Sequence, residues 1–268
     1  MSATTLTPHD EFILAEDENA HHTVSHQFEE RAQQDECYIV GMWTFLVTEV
    51  MFFGALFLAY SVYRSNPEFT EIFSEVSREH LNWWLGFVNT LILLTSSLSM
   101  ALAVQSAQRS NRRLMRRYMG ITILFAFGFL LVKTDEYGTK IREHHVPGAH
   151  FVYEGEKPAD GGAQTESKTS PAAVVHPLTS GDVQKANRAE LFFGIYFIMT
   201  GLHGFHVIIG ILIMGAIIIM SEFDHPAVRD FMPIEMTGLY WHFVDIVWIF
   251  LYPLLYLIHP DYHHIKWM

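Results

Sequence analysis

The chain has 268 residues, half of them apolar, a formal charge of −12 and a single cysteine. That length would suit one or two soluble domains, but the apolar residues fall in blocks of membrane-spanning size, which takes about 20 residues of helix, so a soluble class is excluded. The acidic balance argues against a nucleic-acid partner, and one cysteine, Cys37, excludes an internal disulfide and a multi-thiolate metal site.

Residues 1–37 carry Asp10, Glu11, Glu16, Asp17, Glu18, Glu29, Glu30, Asp35 and Glu36 and read as an acidic, flexible tail without a signal peptide. The first predicted span covers 39–63, around the apolar block Val40–Tyr60, whose one charged residue is Glu49. An ionised carboxylate at bilayer depth costs several kcal/mol, so Glu49 is expected to be protonated, paired or both. An external loop over 64–81 leads to the second span, 82–106, where small residues recur four apart at Ser97/Ala101 and Ser99/Ala103 and favour close helix approach. The next turn holds Arg109, Arg112, Arg113, Arg116 and Arg117. Short basic loops stay cytoplasmic, which places the N-terminus inside and the C-terminus on the external or periplasmic side.

The third span, 114–136, is built on the short block Tyr118–Val132, with Arg116, Arg117 and Lys133 expected to snorkel to the two surfaces. Residues 138–189 form a long external loop. Its His144, His145, His150 and His176 lack a compact zinc-type spacing. The fourth span, 190–221, contains Gly194, Gly201, Gly204, Gly210 and Gly215, and the fifth, 234–258, contains Pro253 and leads into a short tail ending at 268. The predicted fold is an all-α integral membrane protein, a bundle of five transmembrane helices.

Polar residues at bilayer depth are the candidate site. Glu49 lies within about one residue of its span centre, His203 and His206 bracket the centre of theirs, Asp245 is about 3 Å from its centre and His242 about 7 Å. His203/His206 and His242/Asp245 each share a helical face at i,i+3. Three readings compete: a hydrogen-bonded cluster that sets helix packing, a proton relay or carrier, and a haem or metal site. The last is weakened because only the last two spans carry intramembrane histidines, and no CxxCH, GxGxxG or GxxxxGK motif occurs. The chain reads as a partner of redox chemistry rather than its seat.

The motifs also carry a family resemblance. Gly41–Phe53 (GMWTFLVTEVMFF) resembles the glutamate-bearing helix of subunit III of haem–copper cytochrome oxidases, and Asn89–Leu98 (NTLILLTSSL) resembles the helix after it. Thr200–Gly210 (TGLHGFHVIIG) and Tyr240–Tyr252 (YWHFVDIVWIFLY) are similar to the last two helices of that family. Glu136-Tyr137 and Glu235, six residues before Trp241, fit the same pattern. The likeness covers 38–137 and 190–258. The two extra N-terminal helices of seven-helix members have no counterpart, which groups the chain with five-helix bacterial members, and loop 138–189 is longer than the family leads one to expect.

The resemblance implies an accessory subunit with no redox centre of its own, in the bacterial inner membrane. Its expected partners are oxidase subunit I, which holds haem and copper, subunit II, other respiratory-complex subunits and membrane lipids, with phospholipid bound to it. Glu49 matches the family's carbodiimide-reactive glutamate. His203, His206, His242 and Asp245 belong to the same buried, proton-related set, and Trp241, Trp248 and Glu235 are expected lipid or subunit contacts. The rivals are a subunit III-like chain of a quinol oxidase or nitric oxide reductase, an autonomous proton channel, and a haem-binding oxidoreductase using His203 and His242.

Overall fold

The computed structural model describes residues 28–142, 180–225, 228 and 230–257, and regular structure among them is helical: α1 Arg31–Arg64, α2 Pro67–His80, α3 Trp83–Gln108, α4 Arg112–Arg142, α5 Ser180–Glu222 and α6 Met232–Tyr256. Five of these, all but α2, are long and apolar enough to cross a membrane. Helices suit that setting because every backbone group inside them is paired within the segment.

Local signals explain the boundaries. Gln33 in the first turn of α1 accepts the Glu29 amide at 3.3 Å, so residues 31–37, expected to belong to the flexible tail, form about two turns of helix instead. Asn82 accepts the Trp84 amide at 3.1 Å ahead of α3, and Asn111 accepts the Leu114 amide at 3.2 Å at the start of α4. Between α3 and α4, Ser110 takes φ 58°, and the Asn111 amide reaches back to the Ser106 carbonyl at 2.9 Å, which closes the turn. α4 ends with Lys140 and Arg142 in its last turn, favourable to its dipole. α4 and α5 both run into the segment expected as loop 138–189; residues 143–179, with their four histidines, lie outside the described residues.

α2 was not foreseen: it occupies the stretch expected to be an external loop. Asn66 caps it by accepting the Glu68 amide at 3.1 Å, and Pro67 supplies a preset first turn. Its apolar stripe of Ile72, Phe73 and Val76 is 4%, 0% and 0% exposed, while Glu68, Glu71 and Arg78 face outward.

The described chain divides into two units. One takes in α1 through Phe52, Leu91–Phe129 and Phe205–Val247; the other takes in Phe53–Thr90, α4 from Leu130, α5 through Gly204 and α6 from Trp248. The first has a core of Leu46, Leu93, Met100, Met119, Val207, Met214, Trp241 and Val244. Trp241 lies so close to α5 that a Cβ on Gly210 would meet its ring at 2.7 Å. Two ion pairs tie the start of α4 to the end of α5, Arg112–Asp224 and Arg116–Glu222, the latter at 2.5 Å. Both acids are largely exposed, so the pairs add little stability.

In the second unit α2 packs Phe73 against Phe192, ring centroids 5.1 Å apart, and against Tyr60 at 5.9 Å. The last carbonyls of α6, which lack helical donors, are taken by other elements: the Tyr60 hydroxyl donates to Leu254 at 2.8 Å and the Ser77 hydroxyl to Leu255 at 2.7 Å. α6 accommodates Pro253, which has no amide to donate within the helix. Tyr252 packs closely against Gly86, where an added Cβ would come within 2.7 Å of its ring.

Gly86→Ala is expected to lower the thermal stability of the detergent-purified protein by about 1–3 kcal/mol through overpacking. Gly120→Ala, whose Cβ would meet nothing within 4 Å, should leave it unchanged or raise it by about 0.5–1 kcal/mol. Equal melting shifts for the two variants would show that the Gly86 contact is not tight.

Candidate functional site

α1 and α5 bring Glu49 and His206 together in the first unit. The Nε2 of His206 lies 3.1 Å from a Glu49 carboxyl oxygen, and the two side chains are 11% and 19% exposed. In an apolar setting each supplies what the other lacks, since one side chain accepts and the other donates. The His206 carbonyl in turn accepts from the buried Tyr240 hydroxyl at 2.9 Å.

The same unit holds a second polar group on α3 and α6. The Ser97 hydroxyl bonds Nδ1 of His242 at 2.7 Å. Asp245, 3% exposed, stands one turn further along α6, with neither carboxyl oxygen in a hydrogen bond of ordinary geometry. Beside it on α3, Ser96 receives the Trp241 indole N–H at 3.2 Å and Ser99 meets the Thr122 hydroxyl at 2.6 Å. The serines expected only to thin the helix contact thus also act as polar glue. Glu235 and His242 line a groove with Ala101, Val104, Gly238 and Leu239, of about 230 Å³.

His203 belongs to the second unit, where its ring stacks at 5.1 Å from that of Trp248. The Trp248 indole N–H donates to the Thr90 hydroxyl at 3.1 Å. Trp241 and Trp248 are 0% and 1% exposed. That corrects their expected role as lipid or subunit contacts: large flat rings at crowded helix crossings fill the interior, and the chain itself encloses them.

The second unit also contains a polar cluster that sequence reasoning missed. Lys133, expected to snorkel to the surface, is 8% exposed and points inward. Its ammonium bonds Glu136 at 2.9 Å and the Tyr256 hydroxyl at 2.5 Å, and it sits 4.6 Å from the centre of the Trp248 ring. Glu136 accepts from Tyr256 at 2.6 Å and from Tyr196 at 2.9 Å. Close by, the Tyr137 and Thr200 hydroxyls are 2.5 Å apart. Buried charge persists only where paired and hydrogen-bonded, and here α4, α5 and α6 each supply part of the pairing. The i,i+3 spacing of Lys133 and Glu136 was the available signal. The tyrosines are remote in sequence and gave none.

Among the described residues no group of three or more His, Cys, Asp or Glu side chains is arranged to hold a metal ion.

Lys133→Met is expected to destabilise the protein by about 3–5 kcal/mol by leaving Glu136 without its counter-ion, and Lys133→Met/Glu136→Gln should recover most of that loss. Thermal unfolding of the two variants measures it. A double variant worse than the single one would show that the pair is not mutually compensating.

Comparison with known proteins agrees with this architecture. A family model described as cytochrome c oxidase subunit III matches residues 18–146 and 187–259. A cytochrome c oxidase subunit 3 of Thermostichus vulcanus is 28% identical over 82% of this chain and 87% of its own length. The subunit 3 of the cytochrome bo(3) ubiquinol oxidase of Buchnera aphidicola is 25% identical over 82% of this chain and 93% of its own length. A quinol oxidase subunit 3 of Bacillus subtilis is 25% identical over 90% of this chain and 97% of its own length. With a family model matched across all five spanning helices, the chain belongs to the cytochrome c oxidase subunit III family of the haem–copper oxidases.

Proposed function

We propose that this chain is the accessory subunit III of a proton-pumping terminal oxidase, without redox centres of its own. It packs beside the catalytic subunit I, stabilises it and supports its proton uptake. The observation that carries this reading is the Glu49–His206 pair, an acid and a base held 3.1 Å apart in mid-span. Such a pair holds or passes a proton without exposing a full charge to hydrocarbon. Trp43, Val47, Val50 and Met51 of α1 are 57%, 54%, 56% and 71% exposed, an apolar face suited to subunit I, subunit II and bound phospholipid. Haem and copper belong to the partner subunits in this reading. Asp245, His242 and His203 contribute proton buffering or packing around the pair, and Glu235 faces lipid or a neighbouring subunit.

The basic turn from Arg109 to Arg117 supports a cytoplasmic N-terminus and an external C-terminus, in a bacterial inner membrane. Cytochrome c is the proposed electron donor. A quinol-oxidising complex is the second reading, favoured by the Bacillus subtilis relative that matches along nearly its full length. Donor preference of the purified complex separates the two.

Glu49→Gln is expected to preserve assembly, because glutamine keeps a hydrogen-bonding group beside His206. It should abolish carbodiimide labelling at that position and leave initial oxygen consumption near normal while activity decays sooner in sustained turnover. Oxygen-electrode traces of the purified complex measure this; a decay course identical to wild type would rule out the proton-support role. The isolated chain reconstituted in vesicles should show no uncoupler-sensitive proton flux. A robust flux would replace the proposal with an autonomous channel.

A further inference from the structure

The Glu49–His206 pair joins two helices that have no covalent tie near it, so something must set the register of α1 against α5. Three observations point to one residue on α6. The Tyr240 hydroxyl donates to the His206 carbonyl at 2.9 Å in a buried position. A helix carbonyl has a second lone pair after accepting its own i+4 amide, so this bond adds to the helix without breaking it. The Tyr240 ring also packs on Phe45, centroids 6.2 Å apart, and Phe45 lies one turn before Glu49 on α1. Finally, Gly210, one turn beyond His206, leaves the room that Tyr240 and Trp241 occupy: a Cβ there would meet Tyr240 at 3.4 Å and Trp241 at 2.7 Å.

We propose that Tyr240 is the positioning residue of the Glu49–His206 pair, its hydroxyl holding the His206 turn of α5 while its ring holds the Glu49 turn of α1. This rests on the functional importance given to the pair above, but the geometry is tested separately from the function. Tyr240 exchanges no proton with the pair. It acts by keeping the imidazole and carboxyl within bonding distance, and losing its hydroxyl frees the carboxyl for part of the time.

The test uses the purified oxidase complex and a hydrophobic carbodiimide, with the adduct on the peptide containing Glu49 measured by mass spectrometry. Tyr240→Phe is expected to raise the labelling rate several-fold towards that of His206→Leu, and the Tyr240→Phe/His206→Leu double variant should label no faster than His206→Leu alone. Tyr252→Phe, which removes another interior hydroxyl bond, to the Trp83 carbonyl at 3.2 Å, should label as wild type. Labelling of Tyr240→Phe at the wild-type rate, additive effects in the double variant, or an equal rise in Tyr252→Phe would each overturn the proposal. Where Tyr240→Phe does not assemble, Phe45→Leu tests the ring contact with the hydroxyl in place, and an unchanged rate there also overturns it. Where wild-type labelling is below detection, the infrared band of the Glu49 carboxyl, identified by its loss in Glu49→Gln, serves instead: it should move in Tyr240→Phe, and a band that stays put refutes the assignment. Normal sustained turnover in Glu49→Gln together with faster labelling in Tyr240→Phe would sink the functional role and leave the positioning role standing.

Discussion

The cost of an unpaired polar group away from water governs this molecule. In hydrocarbon a lone carboxylate or ammonium costs several kcal/mol, and at two places that cost is met inside the chain. Glu49 faces His206 at 3.1 Å. Lys133 faces Glu136 at 2.9 Å with Tyr256 and Tyr196 completing the acceptor's bonds. Each solution takes side chains from more than one helix, so satisfying charge and fixing helix packing are the same event.

Close approach is the other half of that event. Side-chain bonds of this length between spanning helices need backbones near one another, and small residues supply the room. Gly210 lets Trp241 against α5, and Gly86 lets Tyr252 against α3. The serines of α3 serve twice, being small enough to pack and polar enough to bond: Ser97 to His242, Ser96 to the Trp241 indole, Ser99 to Thr122. α6 is accordingly the most enclosed of the spanning helices, with 61% of its most apolar stretch buried, against 17% for α1. The low figure for α1 fits a helix that keeps an apolar face for lipid or a neighbour, and Glu49 sits on that helix.

Membership of the subunit III family and the chemistry of the pair agree at one point. The proposed support of proton uptake calls for a group able to hold a proton in a dry place, close to the chain's own surface. The Glu49 side chain, 19% exposed at mid-span, meets both conditions. The Lys133–Glu136 cluster differs in kind. Both side chains are 9% exposed and charge-matched, and the bonds of Glu136 to Tyr196 and Tyr256 tie α4 to α5 and α6, which suits an internal fastening.

The residues alone determined the class, the five spans and the candidate acid. Apolar blocks of membrane length and a single charge within one of them follow from local composition, and local composition is what a sequence displays. α2 was locally encoded as well, in Asn66-Pro67-Glu68 and the Ile72, Phe73, Val76 stripe, but its acidic residues masked the pattern. Only the tertiary structure decided which groups meet. Lys133 turned inward because Tyr256, far along the chain, was there to receive it. Trp241 became an interior ring rather than a lipid or subunit contact because Gly210 leaves space for it on α5, and Trp248 did so against His203 and Thr90. His203 went to Trp248 while His206, three residues on, went to Glu49. Partner choice depends on helix rotation and separation, and those are settled by the packing of the whole unit rather than by any one span.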